Sequence, residues 1–78
     1  MNKHVYIAVM DYRSSEIRIY HAVLPATNIF DNTWAVQNET IEDWLEENDQ
    51  NWSESQCYYM AREDEPIEVY DNQEAVDE

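Results

Sequence analysis

The chain contains no glycine, one cysteine, and only four basic residues against eighteen acidic ones in 78 positions. Each shortage removes a class of chemistry. Without glycine there is no GxxxxGK or GxGxxG loop to bring backbone N–H groups up against a phosphate. Any turn that needs positive φ must use Asn, Asp or Ser instead. The single cysteine, Cys57, allows neither an internal disulfide nor a multi-cysteine metal cluster. That usage suits a reducing compartment, and the expected location is cytoplasmic. No apolar run approaches the ~18 residues of a membrane-spanning helix. The opening MNKHVYIAVM lacks the apolar length and cleavage site of a signal peptide. With so few bases the formal charge is −14, which repels nucleic acid and anionic membranes. Basic protein surfaces and cations are the partners left.

What is present suffices for one core. The chain is 44% hydrophobic and carries three Trp, six Tyr and one Phe, so it is not a disordered acidic tail. One domain over residues 1–71 is expected, with 72–78 a frayed acidic tail. HVYIAVMDY (4–12) and EIRIYHAVL (16–24) read as strands rich in β-branched and aromatic residues, joined by a short polar hairpin at YRSS. Val5, Ile7 and Val9 share one parity, as do Ile17, Ile19 and Val23, and both sets are assigned to the buried face. The opposite parity (Tyr6, Ala8, Met10; Tyr20, Ala22) is also apolar, which suggests a second face packed on another copy as a homodimer. PATNIFDNTW (25–34) reads as a loop pinned to the core by Ile29 and Phe30, and TWAVQ (33–37) fits a short strand or a helical turn. SQCYYMA (55–61) and PIEVY (66–70) read as the third and fourth strands.

Between these strands lies ETIEDWLEEND (39–49), in which six of eleven residues are carboxylates and none is basic. Thr40 is placed as N-cap, with Asp43 as the acid of a capping box. At 100° per residue, Ile41, Leu45 and Trp44 form an apolar stripe, while Glu39, Glu42, Asp43, Glu46, Glu47 and Asp49 project to the opposite side. NDQNW ends the helix. The sum is an α+β fold of ββαββ order: an antiparallel sheet of about four strands with one acidic amphipathic helix on one face.

Catalytic and metal sites find little support. Cys57 lies in an apolar strand pattern and reads as a small buried thiol. His4 and His21 could meet across the hairpin, but a metal would need further ligands, and there is no HxH or HExxH spacing. DQNWSESQCYYM (49–60) starts like a calcium loop but has Glu54 and Met60 where the glycine and the bidentate acid belong. Carboxylates on an exposed helix arc lack the cleft that separates the pKa values of an acid–base pair. The expectation is a protein that is not an enzyme, with no cofactor and no bound metal.

The charge is lopsided. Residues 1–38 hold three acids and three bases, whereas residues 39–78 hold fifteen acids and Arg62 alone. Acid needed only for solubility would be spread evenly; asymmetry of this kind points to an interaction surface or an acidic tail. Duplex DNA carries one charge per ~1.7 Å of axis, or about nine over the ~15 Å of the acid-rich segment. The six acids of that segment, with Glu63, Asp64, Glu65 and Glu68 nearby, approach this density. A Gly-free acidic chain of this size, with a helix such as TIEDWLEEND, resembles the small anti-defence proteins of phages and mobile elements, namely anti-CRISPR proteins and anti-restriction DNA mimics. The resemblance covers size, charge and layout and carries no diagnostic motif. It implies an inhibitor that occupies a basic groove of a bacterial nuclease complex in the host cytoplasm, through Glu39, Glu42, Asp43, Glu46, Glu47 and Asp49, then Glu63, Asp64, Glu65 and Glu68. The competing expectation is a small dimeric adaptor with a solvated acidic face.

Overall fold

Alternating apolar residues make the first half of the chain a long hairpin. The computed structural model describes residues 1–68, in which β1 (Asn2–Asp11) and β2 (Glu16–Pro25) pair antiparallel over their full lengths. The chain then forms β3 (Thr27–Phe30), β4 (Thr33–Ala35), α1 (Asn38–Asn48) and β5 (Cys57–Glu63). β5 pairs with the other edge of β1, giving a three-stranded antiparallel sheet of order β2-β1-β5, while β3 and β4 form a separate two-stranded sheet. The α+β class and antiparallel sheet agree with the sequence reading, but the described residues form five strands in the order ββββαβ. The segment assigned as a loop, 25–34, supplies β3 and the start of β4. Pro66, Ile67 and Glu68 are not in a strand, and the rest of the proposed fourth strand, with the tail 72–78, lies outside the described residues.

Register decides which side chains are covered, because directly opposed residues share a face. Val5, Ile7 and Val9 face α1 and stand opposite Ala22, Tyr20 and Arg18 on β2, and opposite Glu63, Ala61 and Tyr59 on β5. Val5, Ile7, Val9, Ala22, Leu24, Cys57, Ile41 and Leu45 form the core, joined by Ala26 and Val36. The assignment for β2 is therefore corrected. Tyr20 and Ala22 point inward, and Ile17, Ile19 and Val23 point outward at 67%, 47% and 53% exposure. Ile29 and Phe30 are exposed as well and do not pin the segment to the core. They sit at the end of the β3–β4 hairpin, whose two-residue loop is Asp31–Asn32. Both loop residues have positive φ (47° and 66°), as a type I′ turn requires. Ser15 and Asp64 hold the other positive φ values among the described residues, so Asn, Asp and Ser do take the places of glycine.

The helix starts earlier than its sequence suggests. Gln37 is the N-cap and makes no side-chain cap bond; its carbonyl accepts from the Thr40 and Ile41 N–H groups. Thr40 lies inside the first turn and caps nothing, because the chain leaving β4 is already positioned by Gln37, whose side-chain amide donates to Thr27 Oγ1 at 3.0 Å. Ile41 and Leu45 are buried, and Trp44 packs edge-on against Tyr20 at 5.4 Å. The apolar stripe predicted for this helix is the one observed.

Candidate acidic interaction face

Ten carboxylates were candidates for a partner surface, and the fold sorts them into two groups. Glu39, Asp43, Glu46 and Glu47 are exposed on α1. Among the described residues no ion pair reaches them. Glu42 is half-buried at the edge of this arc and accepts a hydrogen bond from the Tyr59 hydroxyl at 3.1 Å. Burial, with that bond second, pushes the Tyr59 phenol up to about 12.

The remaining acids are engaged elsewhere. Asp49 does not project from the acidic arc: it is 4% exposed. The helix ends at Asn48, and Asp49 is its C-cap in extended conformation, so a helical projection does not apply to it. Its Oδ1 accepts from the Asn51 N–H at 3.0 Å and its Oδ2 from Arg18 Nε at 3.0 Å. Arg18 Nη2 also lies 3.0 Å from that Oδ2, as an ion pair outside hydrogen-bond geometry. Arg18 Nη1 donates to Asp11 Oδ2 at 3.1 Å, and Asp11 is buried as well. Arg13 closes the cluster through two bonds to Asp11 and one to the Asn51 carbonyl. Hydrogen bonds from Arg13 hold Asp11 well below the usual carboxylate range; burial opposes them and Arg18 adds to them. Burial pulls the Arg18 guanidinium down, but its bonds to Asp49 and Asp11 outweigh this and raise it. The cluster bolts the ends of β1 and β2 to the segment leaving α1.

Glu63 is half-buried and paired. It pairs with Lys3 at 3.3 Å, and its other oxygen accepts from the Val36 N–H at 2.8 Å, which ties β5 to the end of β4. Asp64 pairs with Lys3 at 3.5 Å, and Glu65 pairs with Arg62. Glu68 is exposed at the end of the described chain. Every basic side chain is thus committed to Asp11, Glu16, Asp49, Glu63, Asp64 or Glu65, and none to the outer face of α1. The structure brings together Glu39, Glu42, Asp43, Glu46 and Glu47, and separates them from Asp49 and the group at 63–65.

Sequence reasoning missed the Asp11–Arg18–Asp49 cluster. A signal was available: Asp11 and Arg18 are the charged residues inside the two most apolar strand patterns, and charge in such a place is normally paired. His4 and His21 do meet, with Nδ1 and Nε2 2.8 Å apart on the sheet face away from α1, and Tyr6 stacks on His21. One ring nitrogen donates and the other accepts. Among the described residues no group of three or more His, Cys, Asp or Glu is arranged to hold a metal ion, and no helix is long and apolar enough to cross a membrane. Comparison with protein families, curated proteins and solved structures finds no match to this chain.

Proposed function

We propose that this protein is a small cytoplasmic inhibitor that occupies a basic, nucleic-acid-binding surface of another protein, such as a bacterial defence nuclease complex, without enzymatic activity of its own. One observation carries the reading: among the described residues, Glu39, Asp43, Glu46 and Glu47 on the outer face of α1 have no ion pair, and the four bases are committed to other acids. Like charges at i,i+3 and i,i+4 spacing destabilise a helix, and a basic partner relieves that repulsion on binding.

The scale of the mimicry follows from the geometry. The eleven residues of α1 rise ~16 Å. A single phosphate strand carries one charge per ~3.4 Å, or about five over that length. The four exposed carboxylates plus Glu42 match one strand rather than a duplex. A partner groove that tracks a single backbone is the best fit.

The test is competition. The variant Glu39→Gln/Asp43→Asn/Glu46→Gln/Glu47→Gln leaves Glu42 on Tyr59 and should stay folded. Pull-down from a bacterial lysate should recover nucleic-acid-binding proteins with the parent chain and lose them with the variant. The captured protein should release its DNA or RNA as the inhibitor is added, with affinity that falls as salt rises. A captured partner that holds nucleic acid and this protein together would refute mimicry. The adaptor reading draws on a different observation, the apolar sheet face opposite α1.

A further inference from the structure

Among the described residues, nothing covers the side of the sheet away from α1, and that side is apolar. Read across the strands, its rows are Ile17–Met10–Tyr58, Ile19–Ala8–Met60 and His21–Tyr6–Arg62. Met10, Ile17, Ile19, Tyr58 and Met60 are 40–67% exposed. Tyr12 extends the first row by packing edge-on against Tyr58 at 5.4 Å. Ala8 sits in the middle at 8% exposure, shielded by the longer side chains of Ile19 and Met60, so the centre of the face is a trough between two apolar ridges. Scattered exposed apolar residues need no explanation, but a contiguous face of this kind marks a contact.

We infer that the face binds a second copy of this chain, giving a two-fold dimer in which two sheets pack face to face. Two arguments select this occupant. The first is charge. A chain of net charge −14 opposes its own association at any surface that bears acid. The carboxylates within the three strands, Asp11, Glu16 and Glu63, all fall on the α1 side, and the outward strand positions carry none. Face-to-face packing places the two sheets ~10 Å apart, with each helix a further ~10 Å outside. The two acidic arcs then lie ~30 Å from each other, well beyond the ~8 Å screening length at physiological salt. Among the described residues, acid approaches this face at its Arg62 edge, where Glu65 pairs with Arg62, and the rows through Met10 and Ala8 carry none.

The second argument is area. Strands of ten, ten and seven residues, at ~3.4 Å per residue and ~4.8 Å apart, cover a flat footprint of about 450 Å². Two copies give about 900 Å² before the corrugation of the side chains is counted, and corrugation carries the buried accessible area past the ~1,000 Å² that a specific interface needs. In a two-fold arrangement the ridge of one copy enters the trough over Ala8 of the other, at the usual inclination of aligned sheets. The dimer would present two acidic helices on opposite outer faces, so one assembly offers two binding arcs.

Sedimentation equilibrium of the full chain across micromolar concentrations tests the inference. The expected mass is twice the 9.4 kDa of one chain. Ile19→Lys and Met60→Lys, made separately at positions already 47% and 56% exposed, should weaken the dimer at least tenfold while leaving the far-ultraviolet circular dichroism unchanged. A single-chain mass at every concentration, a mass above two chains, or a dimer unmoved by both variants would overturn the proposal. Should either variant lose its fold, the parent chain decides. Nuclear Overhauser effects between labelled and unlabelled copies should connect the Met10, Ile17, Ile19 and Met60 methyl groups, and a dimer without them would overturn it equally.

Discussion

Replacing Asp49 with alanine should destabilise the protein sharply, although Asp49 belongs to a run of acids of which Glu39, Asp43, Glu46 and Glu47 are exposed. Its carboxylate is buried and accepts from the Arg18 guanidinium and the Asn51 N–H. Removing one partner of a fully buried ion pair costs roughly 3–5 kcal/mol. Arg18 keeps Asp11 and the exposed Glu16 in the variant, so the expected loss falls just below that range, at about 2–3 kcal/mol. At 78 residues the whole stability is about 4–12 kcal/mol, and the loss corresponds to a fall in Tm of roughly 8–24 °C. Urea denaturation followed by circular dichroism gives the difference directly, as a lower midpoint at unchanged slope. Asp49→Asn, which keeps the acceptor for Asn51 and loses the charge, should fall between the parent and Asp49→Ala. A change below about 0.5 kcal/mol for the alanine variant, the range of ordinary surface substitutions, would show that Asp49 stands in solvent and that the cluster is not formed.

Four further outcomes follow from the same geometry. Glu46→Gln/Glu47→Gln should stabilise by about 1–2 kcal/mol, because it removes three like-charge pairs and two acids from the negative end of the helix dipole; thermal melts read this, and destabilisation would mean that these acids have structural partners. Tyr59 has its phenol raised from 10.0 to about 12, so its contribution to stability is fully present below pH 10 and is lost as pH rises through 12. Tyr59→Phe should flatten that alkaline fall and cost about 1 kcal/mol near neutrality, both measured by urea melts across pH. Asp11 titrates lower in the folded chain than unfolded, so its contribution is fully present above about pH 4 and is lost as pH falls through the folded value; Asp11→Asn should be less stable than the parent at neutral pH and lose less on acidification. Asn32, at φ 66°, should tolerate glycine and lose about 1 kcal/mol on change to alanine, since a Cβ strains the left-handed region; equal stability of the two variants would argue against the I′ turn.

The parts of the fold that were legible in sequence are those where one period dominates. Ile41, Trp44 and Leu45 recur on one helical face amid acids, so the helix and its buried stripe could be read directly. Val5, Ile7 and Val9 are β-branched at every second position, against the mixed set Tyr6, Ala8 and Met10, and face the core. β2 was read with its faces exchanged because both of its parities are apolar: Ile17, Ile19 and Val23 on one side, Tyr20, Ala22 and Leu24 on the other. Counting hydrophobicity favours the isoleucines as the buried set. What decides the face is Arg18, which shares parity with Tyr20, Ala22 and Leu24 and has to reach Asp11 and Asp49. A slip of one residue would strand both buried carboxylates without their cation, at roughly 3–5 kcal/mol each, against ~1.5–3 kcal/mol for each isoleucine it buries. Asp49 departs from the helical projection for a related reason: α1 stops at Asn48, and Asp49 follows in extended conformation. Long-range pairing of charges, invisible to local periodicity, therefore sets which face of the sheet is covered. The same choice turns the isoleucines outward, so the buried cluster that organises one side of the sheet creates the apolar face on the other.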